Sequence, residues 1–136
     1  MAATGKYASA PTLYDIQTIA AEAFATIPNV LAQHVADVAI YVVDFPDDET
    51  MEAMELESSF DLLGLYQGIS LKQKSVANTL TDIDRIYLYR RPLLDYWCET
   101  GDDLYHVVRH VLIHEIGHHF GFSDDDMEAI EARSAG

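Results

Sequence analysis

The chain of 136 residues has a single cysteine, Cys98. An internal disulfide is therefore excluded, and the fold must rest on packing. Long apolar runs are missing too. No stretch approaches the roughly 18 to 20 residues that cross a bilayer. Met1 to Tyr14 carries one lysine and no apolar segment, so no secretory signal is expected. Cations are scarce. Eight Lys and Arg stand against 23 Asp and Glu, a formal net charge of −15. None of the eight falls between Tyr7 and Leu71, where eleven of the carboxylates lie. A surface of that sign repels phosphate backbones and anionic headgroups, so neither nucleic acid nor membrane is expected as a partner. The acidity reads as a solubilising surface, and with the lone cysteine it points to a cytoplasmic setting.

What is present suits one folded unit. A chain of this length can bury roughly two-thirds of its unfolded surface. Residues 1–10 are expected to be a flexible tail and 11–136 a single domain, with no repeat or linker dividing them. From Pro11 to Ile27, Ile16, Ile19, Ala20, Ala23, Phe24 and Ile27 recur at helical spacing. Pro28 ends that helix and is expected to start a short turn through Val35. Val38 to Val43 reads as a buried strand, broken by Phe45-Pro46-Asp47-Asp48. Glu49 to Glu57 is only weakly helical and is expected to be a loop. Leu63 to Ile69, with two glycines, reads as a short edge strand. Leu71 to Asp82 is polar and loop-like, and Arg85 to Tyr89 is a strand. Arg91-Pro92 opens a helix to about Glu99. Asp102 is placed to cap the main helix, whose apolar face is Leu104, Val107, Val108, Val111, Leu112 and Ile116. Gly121 should end it in the left-handed conformation, and Ser123 to Ala132 forms a last short helix. The expected class is α+β, a small mixed sheet of about three strands packed against that helix.

The main helix carries His114-Glu115-Ile116-Gly117-His118, an H-E-x-x-H motif that Gly121 and Asp124 extend to H-E-x-x-H-x-x-G-x-x-D. Histidines four apart differ by about 40° around a helix and about 6 Å along it, so both imidazoles can meet one metal ion. Glu115 between them is placed as a general base. Two histidines leave zinc under-coordinated, so a third protein ligand is expected. Gly121 lets the chain turn back, and Asp124 then arrives six residues after His118. The alternative is that Asp124 serves only as charge in the first turn of the last helix, because Ser123 and Asp126 resemble a capping box. Glu128 is the fallback ligand. The metal is expected to be Zn²⁺, although such a donor set does not choose sharply among Zn²⁺, Fe²⁺, Mn²⁺ and Co²⁺.

The neighbours have duller readings. His106 is well off the metal direction, and His110 sits at the surface or packs, with a supporting position the lesser alternative. His119 reads as solvent-facing or hydrogen-bonding. Met127 is too close to Asp124 for a Met-turn. Tyr66, Tyr87 and Tyr89 are candidates to donate a hydroxyl to an oxyanion, against the commoner packing role of strand tyrosines. Asp44 and Asp95 are candidates to orient a ligand histidine, and nothing in the sequence selects between them.

Three segments join the motif: Val43-Asp44-Phe45-Pro46 ending a strand, Leu63-Gly64-Leu65-Tyr66-Gln67-Gly68, and Arg85-Ile86-Tyr87-Leu88-Tyr89-Arg90-Arg91-Pro92. With the H-E-x-x-H-x-x-G-x-x-D signature, the chain resembles the small bacterial zincin-like proteins, the minimal metallopeptidases, from about Ile16 to Glu131. That resemblance implies zinc on His114, His118 and Asp124, Glu115 as base, and a minimal zincin-like fold with an edge strand near the cleft. It implies a peptide or protein substrate whose identity it leaves undefined, and it gives His110 no role. The expected function is a zinc-dependent peptidase of the cytoplasm. The competing readings are a non-catalytic zinc-binding or protein-interaction domain and, least favoured by the charge, a metal-dependent nuclease.

Overall fold

The computed structural model describes residues 9–35, 37–68 and 83–133. Its elements are α1 (Leu13–Phe24), α2 (Asn29–Ala32), β1 (Val38–Val43), α3 (Asp48–Ala53), β2 (Gly64–Gln67), β3 (Asp84–Tyr89), α4 (Arg90–Thr100), α5 (Leu104–His119) and α6 (Asp124–Ala132). The fold is α+β. The sheet is mixed, in the order β1-β3-β2, with β1 parallel and β2 antiparallel to β3.

α1 starts two residues later than its apolar periodicity suggests. Thr12 caps it, accepting from Asp15 N–H while the Asp15 carboxylate accepts from Thr12 N–H, a reciprocal capping box. Ile16, Ala20 and Ala23 form its buried stripe. The stripe packs on α5, whose Val107, Val108, Val111, Leu112, Ile113 and Ile116 are buried. Ile86 and Leu88 of β3 and Tyr66 of β2 complete this core from the sheet. Arg109 is buried on α5 and ties it to the end of α1. Its Nε donates to Thr26 Oγ1 at 2.9 Å and an Nη donates to the Thr26 carbonyl at 3.3 Å.

β2 runs directly under α5. A Cβ on Gly64 would stand 2.8 Å from Val111 Cγ1 and 3.0 Å from the Tyr87 carbonyl. Any side chain there would push strand and helix apart. This close approach brings the edge strand to the histidine-bearing helix.

Three expectations need correction. β1 is a strand, but it is not buried: its residues are half-buried or exposed, because it is an edge strand. Asp102 is not the cap of α5. The Val107 N–H is taken by the Asp103 carbonyl, which puts the cap one residue later, and Asp103 makes no side-chain capping bond. The 49–57 stretch is not simply a loop. Asp47 accepts from Thr50 N–H and nucleates the short α3, so one good cap outweighs a weak apolar pattern. Ile69, the 71–82 loop and residues 1–8 of the tail lie outside the described residues. No helix among the described residues is long and apolar enough to cross a membrane.

Candidate metal centre and base

The motif sits in the last turns of α5. Gly121, with φ +82°, closes the helix. Its N–H bonds the His118 carbonyl, and Phe122 N–H bonds the Gly117 carbonyl at 2.8 Å. This is the Schellman arrangement, which satisfies carbonyls that would otherwise end the helix unpaired. The chain then reverses into α6. Ser123 caps α6 by accepting from Asp126 N–H, and Asp126 returns the bond to Ser123 N–H. The capping box and a ligand role for Asp124 are therefore not alternatives. Ser123 and Asp126 build the turn, and the Asp124 carboxylate stays outside it.

Asp124 faces His118, with Oδ1 3.4 Å from Nε2. One ligand atom from each of His114, His118 and Asp124 lies within 4.8 Å of the others. Ligands bound to zinc at 2.0–2.2 Å in a tetrahedron stand about 3.3 Å apart. The donor set and its spacing fit a borderline divalent ion. His118 and Asp124 are the open side of the group, with side chains 56% and 89% exposed. Glu128 is exposed and belongs to no metal-capable cluster found among the described residues.

Gly117 fits α6 beneath the motif. A Cβ there would overlap Met127 Sδ and stand 2.7 Å from its Cγ. Met127 is fully buried, so the contact sets how closely α6 approaches α5, and with it the reach of Asp124. Only the absence of a side chain at 117 permits that contact.

Glu115 leaves the metal-facing row and points toward the sheet. Its carboxylate lies close enough to the main-chain N–H of Tyr66 for that N–H to favour its ionised form. In β2 the Leu63 carbonyl accepts from Tyr89 of β3, so by alternation Tyr66 turns its N–H away from β3. The edge strand thus faces the carboxylate with its free side. Burial raises the Glu115 carboxyl above its ordinary range, against the opposing pull of His118 and the Tyr66 N–H. A carboxylate raised toward neutrality accepts protons more readily.

The Tyr66 hydroxyl is otherwise engaged. Tyr66 O–H donates to Asp84 at 2.7 Å, and burial, that bond and the Asp84 charge push its ionisation far up. Its ring stacks on His119, with centroids 4.0 Å apart. His119 is thus exposed, as its position on the helix suggests, and packs over the edge strand. Tyr89 is buried near Thr50, and Tyr87 stacks on Tyr41 across the other face of the sheet.

Neither carboxylate proposed to orient a histidine does so. Asp44 pairs with Arg90 at 3.0 Å, and Asp95 is exposed on α4. The carboxylate that meets the histidines is Glu131, which the sequence reading missed. Its Oε1 lies 3.0 Å from His114 Nε2, and its Oε2 lies 2.9 Å from His110 Nδ1. Burial opposes ionisation of Glu131, but hydrogen bonds and charge from His110 and His114 outweigh it and hold its carboxyl low. Two spacings carried the signal. His110 lies four residues before His114, and Glu131 lies seven after Asp124, two turns along the same face of α6. His106 is exposed and touches only the neighbouring Tyr105 ring among the described contacts.

Comparison with known families adds the remaining evidence. Residues 35–134 match the model of the zincin-like metallopeptidases. The chain belongs to this family. The matched region runs from just before β1 through α6 and so includes the whole candidate site. No curated protein matches the chain. Zincin-like metallopeptidases take their name from a zinc site, and the chain's clusters of His, Asp and Glu offer donors of the right kind.

Proposed function

We propose that this zincin-like protein is a zinc-dependent peptidase. One observation carries the reading. A three-donor cluster of His114, His118 and Asp124 adjoins a partly buried carboxylate, Glu115, that faces the edge strand β2. His114, His118 and Asp124 would hold the ion, and Zn²⁺ there would supply a Lewis acid that polarises the scissile carbonyl and acidifies water. Glu115 takes the proton of the attacking water on its carboxylate and delivers it to the leaving amine nitrogen. The Tyr66 N–H keeps that carboxylate aimed during both transfers. A peptide substrate lies along the free side of β2, where main-chain hydrogen bonds set its register. The charge of −15 favours peptides over nucleic acid, and the single cysteine favours the cytoplasm.

A closed structural zinc site would have no use for a base, and Glu115 is held in place at the cost of burying its charge. That weighs against a non-catalytic role. The test pairs zinc content, by plasma mass spectrometry, with cleavage of a peptide library. One zinc per chain and cleavage abolished by Glu115→Gln would support the reading. Zinc without cleavage of any peptide would favour a binding protein instead.

A further inference from the structure

The His-x-x-x-His spacing runs along α5 from His106 to His118, and its last two steps, His110 to His114 and His114 to His118, lie against α6. α6 runs back along this row, and each pair meets its own carboxylate. His118 faces Asp124, while His110 and His114 share Glu131. His110, His114 and Glu131 place one ligand atom each within 4.8 Å of one another, the same relation that holds for His114, His118 and Asp124.

We propose that His110, His114 and Glu131 form a second seat for a divalent transition metal, one helical turn from the first and sharing His114 with it. This rests on the zinc-site reading above for the first seat only. The donors suit the same class of ion, two imidazoles and a carboxylate. The Glu131 oxygens stand 2.9 to 3.0 Å from the two histidine nitrogens, slightly tighter than the roughly 3.3 Å between ligands of a tetrahedral ion, so a small rotation of the side chains admits one. The second seat is the more sheltered. His114, Glu131 and His110 side chains are 23%, 29% and 41% exposed.

The two seats exclude each other. A neutral imidazole has one lone pair for a metal, so His114 serves one ion at a time. A single ion therefore has two alternative positions, each within ligand reach of His114. The outer position, at His118 and Asp124, adjoins the base, since Glu115 feels the charge of His118. The inner position lies a turn away from it and serves as a resting seat that retains the metal without activating it.

The test is metal binding, with Co²⁺ as the probe because its visible bands report the donor set. The variants are His118→Ala/Asp124→Ala, which removes the outer seat, and His110→Ala/Glu131→Gln, which removes the inner one. His118 and Asp124 are exposed, so the first variant keeps the core intact, and circular dichroism checks this. Each variant is expected to bind one Co²⁺ per chain, weakened by no more than about a hundredfold, and wild type to bind one ion, not two. The spectra of the two variants should differ. Absence of Co²⁺ from His118→Ala/Asp124→Ala, with binding kept by His110→Ala/Glu131→Gln, would overturn the inner seat and leave the peptidase site standing. The reverse result would remove the outer site instead. Two ions in wild type would overturn the shared role of His114.

Discussion

The Glu115 carboxylate faces the main-chain N–H of Tyr66, so the candidate base adjoins the strand on which a peptide would lie. Glu115→Gln is expected to keep the metal and lose about 10²- to 10⁴-fold in turnover. It also has a stability signature. Burial raises this carboxyl above its ordinary 4.5. An acid whose folded pKa is raised favours folding while protonated, and that advantage is lost as pH climbs from the ordinary value through the raised one. The amide escapes the loss. Metal-free Glu115→Gln should therefore melt above metal-free wild type at neutral pH and close to it in acid. Equal melting temperatures at neutral pH would show that the carboxylate pays nothing for its burial.

Adjacent residues at the start of α6 should separate cap from ligand. Ser123→Ala removes the acceptor for Asp126 N–H and is expected to cost about 1 kcal/mol in urea unfolding. All three metal donors remain, so zinc stoichiometry should hold. Asp124→Ala leaves the capping box intact and loses only a favourable charge on the helix dipole, about 0.5 kcal/mol or less. Its zinc affinity should nevertheless fall by at least about tenfold, as expected when a residue of the metal centre is lost. If Ser123→Ala lost zinc as strongly as Asp124→Ala, the two roles would not be separable.

The parts of this molecule legible in sequence are those written in local spacing. α1 and α5 follow from apolar residues three and four apart, β1 and β3 from their β-branched and aromatic runs. The left-handed Gly121 follows from its place after the motif. The parts that were not legible depend on partners distant in sequence. Asp44 and Asp95 carry carboxylates just as Glu131 does, and only the packing of α6 against α5 decides which of them reaches the histidines. Asp102 and Asp103 are equivalent as caps until the turn out of α4 fixes which carbonyl meets Val107 N–H. The weak apolar pattern of 48–53 hid a helix because its stability comes from the Asp47 cap rather than from a buried face.

Gly117 is a packing requirement inside a chemical motif. Gly117→Ala gains about 1 kcal/mol in helix propensity. Against that, the new methyl collides with buried Met127, and overpacking of this kind costs about 1 to 3 kcal/mol. The net effect is expected to be destabilising by about 1 kcal/mol, with weaker zinc binding because α6 carries Asp124 and Glu131 away from α5. Urea unfolding of metal-free protein and a zinc titration measure the two effects. A stabilised variant with unchanged affinity would mean that Met127 moves aside freely and does not set the helix spacing.

Tyr89 should mark itself in alkali. Its hydroxyl ionises at about 12 rather than 10.0, chiefly through burial and then through the nearby Asp47 charge, with the Thr50 hydrogen bond pulling the other way. The folded chain thus keeps a proton that the unfolded chain gives up. Stability from this group is complete below the ordinary value of 10.0 and is lost as pH rises toward about 12. Tyr89→Phe cannot ionise, so its stability should fall less steeply over that window. At neutral pH, where neither state ionises the group, the two proteins should differ little from this source. Some alkaline slope should survive in the variant, because Tyr66 is raised in the same direction. Unfolding free energies measured from neutral to alkaline pH give the comparison. Identical slopes in the two proteins would mean that the Tyr89 hydroxyl is hydrated in the folded state.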